Sequence, residues 1–401
     1  MEVRGVPRLA EATDDQVART NARWYFTGLA ASLVGNSAMS LVAGIWVKSL
    51  TGSSAQAGLA GASVYAATLI APLAGLIADR LPRRPLLLCL NLLAALTMAL
   101  LLLVRSRGET WLVFAVMAAD GVESILIDPA EDALFAQMFT TEFRRRINGW
   151  RLTIQETGRL ASPLLGAGLF VLLGGGAVAA LDAATFVVAA LVITRLRVDE
   201  TGVAEVARAE PFGRALRGGL THIRDTPGLR EVAVAAALVM ALSGLGVAAQ
   251  YSLVHDLGQR PAFLGVLSAL LGAGSILAAL SAGRLIDRLG EASVAVIGLA
   301  NFAVGDLLRA TGWLPAAVFG SFVLGFALPY VFLATLSIGQ RLTPQHLQGR
   351  VSAALTLALF GPQAPTQALG SLLISHAGYG TVFVVSAAAS LAIGAWLAVR
   401  R

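Results

Sequence analysis

The chain has 401 residues, of which 56% are hydrophobic and only 13% charged, with a formal net charge of +6. Soluble domains carry about 25% charged residues, so this composition and a mean hydropathy of +0.74 exclude an ordinary water-soluble globule and place most side chains against lipid or protein. Cys89 is the only cysteine, which excludes an internal disulfide.

In chain order, the opening MEVRGVPRLAEATDDQVARTNAR mixes acids and bases around no apolar core. Residues 1–23 therefore read as a cytoplasmic tail and not as a secretion signal. Twelve apolar runs follow, at roughly 25–47, 56–78, 86–104, 110–134, 148–173, 177–194, 230–254, 262–283, 293–311, 314–339, 351–375 and 380–399. Each has the ~20 residues that a helix needs to cross ~30 Å of hydrocarbon. In lipid only helices and closed barrels satisfy the backbone, and runs rich in Ala, Leu and Gly lack the alternation of barrel strands.

Most of the 30 Lys and Arg lie on one side if both termini are inside: in the tail, in the connections after spans two, four, six, eight and ten, and at Arg400 and Arg401. That bias predicts an inner or plasma membrane protein with cytoplasmic termini. It also removes the nucleic-acid reading of a basic chain, because the basic residues sit at span ends without stacking aromatics between them.

The connection after the second span, AGLIADRLPRRP (74–85), has an echo in AGRLIDRLGEAS (282–293). Asp79 and Asp287 stand about half the chain apart, and a polar stretch of roughly 35 residues divides six spans from six. The expectation is an all-α membrane protein with twelve transmembrane helices in two six-helix bundles related by a pseudo-two-fold repeat. The bundles are residues 24–194 and 230–401, joined by a cytoplasmic linker, 195–229, with one amphipathic helix near 211–224 on the membrane surface.

These features resemble the major facilitator superfamily. GLIADRLPRR matches its loop motif at Gly75, Asp79, Arg80, Arg83 and Arg84, with Pro82 where Gly is usual. The second copy keeps Gly283, Asp287, Arg288 and Gly290 but has Glu291 and Ala292 for the basic pair. LVGNSAMSLVAGIWVKSLTGSSAQAGL, DPAEDALFAQMFTTEFRRRINGWRL and GRVSAALTLALFG are similar to the branch of siderophore and macrolide (multidrug) exporters. GRLASPLLGA is similar to the fifth-span antiporter motif at Gly158, Pro163 and Gly166, with Ser162 and Ala167 in place of glycines. Small residues there allow close helix contact, and Pro163 removes a backbone hydrogen bond and bends the span. The resemblance implies alternating access. It also implies a cytoplasmic latch in which Asp79 faces the start of span eleven and Arg83 reaches Asp128, Glu131 or Asp132.

Charges inside spans carry the inference about coupling, because a buried ion is costly and usually functional. Asp120 and Glu123 share a face of span four; Glu156 and Arg159 share one of span five, at similar depth across a turn near 135–147, with Asp128 and Arg151 level with each other. Three acids around one Arg suit a proton-coupled carrier; the alternative is a static ion-pair cluster. Asp306 and Arg309 are expected to pair near the outer face. Asn36, Tyr65, Tyr330 and Gln363 are candidates for the substrate pathway, with Pro362 and Pro365 breaking span eleven. No phosphate-binding loop, His-Glu-x-x-His or Cys cluster is present, so no enzyme activity, metal or cofactor is expected. The reading is a monomeric, proton-coupled exporter of amphipathic small molecules such as a drug, antibiotic or siderophore, in contact with small-molecule substrate, protons and the lipid bilayer. The alternatives are an importer or facilitator of a small solute or lipid, and a non-transporting sensor or scaffold.

Overall fold

The computed structural model describes residues 6–66, 81–198 and 212–400, and its regular elements are helices. The first half holds α1 (Val6–Thr51), α2 (Ser54–Ala66), α3 (Arg83–Leu100), α4 (Thr110–Met138), α5 (Thr141–Leu173) and α6 (Gly175–Arg195). A short helix, α7 (Phe212–Asp225), precedes α8 (Leu229–Asp256), α9 (Phe263–Leu289), α10 (Glu291–Ala310), α11 (Leu314–Leu342), α12 (Gln348–Phe360) and α13 (Gln363–Arg400). Among the described residues nine helical runs are long and apolar enough to cross a membrane. The last of them, Gln348–Arg400, is interrupted twice, at Gly361–Pro362 and at Gly378. The described part of α2 has only 13 residues, and among the described residues the apolar part of α5 is Ala161–Leu173.

Helix α1 begins at Val6, so residues 6–23 of the expected tail are helical. Mixed charge forbids burial in lipid, not helicity. The side chain of Asn21 donates to the Arg197 carbonyl at 2.8 Å and accepts from its N–H at 3.0 Å, tying α1 to the end of α6. One boundary differs from the sequence expectation: the turn between α4 and α5 is Phe139–Thr140 alone, not 135–147. The charged run after it is helical because the Thr140 hydroxyl accepts from the Phe143 N–H at 3.3 Å, capping α5.

Turns repeat between the halves. Gly174 (φ +82°) forms the whole connection from α5 to α6, and Gly378 (φ +70°) breaks α13 about half the chain later. A residue with a Cβ is strained in that left-handed region, so Gly allows a sharp reversal in one residue. Each half has its own core. Met39, Val42, Trp46, Met98, Met117 and Val178 meet in the first; Leu229, Val239, Leu299, Phe302 and Val331 meet in the second. Large apolar side chains such as Leu96, Leu172, Leu280 and Leu372 are more than 60% exposed, as a lipid-facing surface requires.

The halves meet through α2 against α8 and α13, and through α5 against α9. Small residues make these contacts close. A Cβ on Gly58 would lie 2.7 Å from that of Ala248, and one on Gly265 would lie 2.5 Å from that of Ala167. These contacts cluster towards the end of the molecule that carries the α1–α2 and α8–α9 turns.

Candidate functional site: a buried carboxylate cluster in the first half

Asp120 and Glu123 lie one helical step apart on α4 and are 5% and 4% exposed. Glu123 accepts from the Thr97 hydroxyl of α3 at 3.3 and 3.4 Å. Asp120 has an oxygen, Oδ1, without a hydrogen-bond partner. A third acid, Asp182 of α6, is wholly buried. Its Oδ1 accepts from the Thr185 hydroxyl at 3.3 Å, and its Oδ2 has no partner.

Asp120 acts electrostatically on both Asp182 and Glu123, and Asp128 acts on Asp120. No described basic side chain offsets Asp120 or Asp182. Gly35 of α1 makes room for this group: a Cβ there would collide with the Asp182 carboxylate and the Thr185 hydroxyl. Removing carboxylates from water without counter-ions costs several kcal/mol each, which protonation or a cation relieves. Chemically, the cluster can take up and give back a proton.

The i,i+3 spacing that marks Asp120 with Glu123 and Glu156 with Arg159 passes over Asp182. A lone acid in ALDAATFVVAALV is nevertheless visible by the same rule. The side chains of Asn36, Glu156 and Arg159 lie outside the described residues, although α1 and α5 carry their backbones. Arg151 pairs with Asp132, nearer the two-residue turn. Its guanidinium also lies 4.9 Å from the centre of the Phe135 ring.

Of the latch residues, Gly75, Asp79 and Arg80 lie outside the described residues. Arg83 opens α3. Arg84 donates to the carbonyls of Ile193 (3.1 Å) and Thr194 (2.7 Å). It thereby holds the carboxyl end of α6, where free carbonyls and the helix dipole favour a cation. Asp128 is exposed on α4; Asp287 and Arg288 are exposed at the end of α9. Glu291, in place of a basic residue, accepts from Arg341 at 2.8 and 3.2 Å.

On α5, a Cβ on Gly158 would lie 2.9 Å from Leu33 Cβ, and one on Gly166 would lie 2.7 Å from Ala38 Cβ. Both glycines seat α5 against α1, with Pro163 between them. Tyr65 is 37% exposed. Tyr330 is buried in the core of the second half, sharing a 2.8 Å hydrogen bond with Ser281. Gln363 donates to Ser243 at 3.3 Å, and Gln367 donates to Gln363 at 3.2 Å. Gln367 approaches Gly61 of α2, whose Cβ would lie 3.0 Å from its Oε1. A polar chain thus runs from α8 to α13, and its last member presents Oε1, which has no hydrogen-bond partner, towards α2 of the first half. Asp306 and Arg309 form the expected i,i+3 pair at 3.7 Å, both buried, with Arg309 lying 4.6 Å from the centre of the Phe383 ring.

The model of the Major Facilitator Superfamily matches residues 25–248 and again 232–401. The chain belongs to that superfamily. Within it, the chain is 22% identical over 337 residues to macrolide efflux protein A of Streptococcus pyogenes, covering 81% of this chain and 82% of that protein. It is 23% identical over 341 residues to the uncharacterized MFS-type transporter YfiS of Bacillus subtilis, covering 81% and 79%. The resemblance to the macrolide-efflux branch therefore stands. Among solved structures, the nucleoside transporter NupG superposes with a TM-score of 0.74 at 12% identity, over 95% of this chain and 98% of that one. A bacterial homologue of the iron transporter ferroportin, in its inward-facing state, superposes with 0.70 at 17% identity, over 95% and 99%. These two likenesses concern the fold of this superfamily member.

Proposed function

We propose that this member of the superfamily is a secondary transporter of the cell membrane, with twelve spans and cytoplasmic termini, that exports amphipathic small molecules in exchange for protons. The observation that supports the coupling is the Asp120–Asp182 pair, buried across α4 and α6 with no counter-ion among the described residues. Two such carboxylates in a low-dielectric interior favour holding one proton between them. A rearrangement that admits water or a basic side chain on one side then releases it. Export is supported by the macrolide efflux relatives. Alternating access is supported by the close packing of the halves at the end carrying the α1–α2 turn. The positive-inside bias makes that the outer side, so this conformation is closed there. The latch residues Asp79 and Arg83 belong to the opposite state.

The test uses proteoliposomes. Asp120→Asn and Asp182→Asn are expected to abolish accumulation driven by a pH gradient while sparing counterflow of the same solute. Full pH-driven transport by both variants would reject coupling here. Uptake into the cell driven by the same gradient would make the protein an importer, and absence of solute flux would make it a sensor or scaffold.

A further inference from the structure

Helix α7 spends its apolar side on the protein: Gly219 packs on the Arg350 carbonyl and against Ala354 of α12, and Leu216 and Ile223 reach the core of the second half. These contacts fix its depth. Ala354 lies within the first turn of the apolar run that begins at 351, and α7 joins α8 through the short turn 226–228, just before the apolar run that begins at 230. The helix therefore lies level with the ends of two spans, where hydrocarbon gives way to headgroups.

The side turned away from the protein carries Arg217, Leu220, Thr221 and Arg224, all exposed, at the i, i+3, i+4 and i+7 spacing of a single helical stripe. Together with Leu216 they line a groove of about 260 Å³. The two arginines stand about 10 Å apart along the helix axis, with Leu220, 45% exposed, between them. No acid is among the described lining residues. Arg217 makes no ion pair or hydrogen bond among the described residues. Arg224 gives its Nε to the neighbouring Asp225 at 2.9 Å, and both partners are exposed. Such a pair contributes little in water, and it leaves the terminal nitrogens of Arg224 for another anion.

We propose that this groove binds one anionic phospholipid of the cytoplasmic leaflet, with its phosphate between Arg217 and Arg224 and an acyl chain along Leu216 and Leu220. Charge complementarity selects the partner. Guanidiniums on long apolar stems reach phosphates while the stems and the leucines lie against acyl chains. A zwitterionic headgroup balances its own phosphate, so a net-negative one gains more from Arg217, which has no counter-ion among the described residues. A free phosphate would leave the leucines bare. The choice of leaflet rests on the topology proposed above. The binding does not depend on transport, so its failure leaves the transporter reading as it stands.

The experiment reconstitutes the full chain in phosphatidylcholine vesicles that hold a trace of phosphatidylglycerol or of phosphatidylcholine carrying a diazirine in the acyl chain near the glycerol. After illumination, adducts are mapped by mass spectrometry, with exposed Leu280 of α9 as the reference for bulk lipid. Relative to Leu280, adducts at Leu216 and Leu220 are expected to favour phosphatidylglycerol at least about fivefold, the effect of roughly one basic residue at an anionic surface. Arg217→Gln combined with Arg224→Gln is expected to bring the ratio to that at Leu280, and Arg217→Lys combined with Arg224→Lys to keep it. Adducts at Leu280 show that each variant is inserted. Equal labelling by the two lipids in the unmodified protein, or no adducts on α7, overturns the site without requiring any variant to fold. An unchanged ratio in the glutamine variant does so as well. Loss of the preference on adding excess inorganic phosphate at constant ionic strength would assign the groove to a free phosphate and overturn the lipid.

Discussion

Asp182 occupies a position that tolerates no error: it is wholly buried, one oxygen is unpartnered, and the backbone of α1 passes so close at Gly35 that no side chain fits between. If the Asp120–Asp182 pair holds a proton in this state, neutralising one member mimics the protonated form. Asp182→Asn is therefore expected to lose pH-driven accumulation with no fall in the thermal midpoint in detergent. A drop of many degrees would make Asp182 a structural residue instead. Asp306 and Arg309 behave differently because each has the opposite charge 3.7 Å away. Asp306→Ala leaves a buried guanidinium unpaired and is expected to cost about 3–5 kcal/mol, with Asp306→Leu combined with Arg309→Met costing far less. Thermal melting of the single and double variants separates the two outcomes. The i,i+3 spacing announced this second pair in the sequence. Asp182 has no such partner along its own helix, and only the packing of α1, α4 and α6 brings it to Asp120.

Helix contacts here are set by missing side chains. Gly158 and Gly166 bring α5 onto α1, where a β-carbon would already crowd Leu33 and Ala38. Gly158→Leu is expected to push the two helices apart and lower efflux more than expression, measured as transport per unit of inserted protein. The same device holds α7. Gly219 packs on the backbone carbonyl of Arg350 in α12, and Leu216 and Ile223 reach the core of the second half. Gly219→Leu is expected to detach α7 and speed trypsin cleavage at Arg217 and Arg224, while the melting of the transmembrane part stays unchanged. Unaltered cleavage would mean that α7 is held by other contacts. The amphipathic pattern of 212–225 was readable as a helix with an apolar face. The expectation that this face meets the membrane surface was wrong: it meets α12 and the core of the second half, because period alone names no partner.

Across the whole molecule, the halves are closest where α2 meets α8 and α13. Gly61→Cys with Gln367→Cys, in a Cys89→Ser background, is expected to form a disulfide that holds this side shut and stops transport, with reduction restoring it. Gly58→Leu should do the opposite, raising reagent access at this end by preventing contact with Ala248. A cross-linked protein that still turns over would show that this contact does not open.

Composition, the apolar runs and the half-chain echo determined, from the sequence alone, a helical membrane protein built from two related halves. Lipid leaves so few ways to satisfy a backbone that hydropathy is nearly a structural measurement. Motif residues carried the family, and span-buried acids pointed to α4. What only the tertiary structure decided is which side chains share a volume. Asp120 acts on Asp182, Arg84 holds the end of α6, and Tyr330 belongs to a core. Helix ends moved too, because polar residues mark where lipid stops and not where a helix does. Those outcomes depend on rotation about each helix axis and on close approach at glycines, which are settled only when every helix has its neighbours.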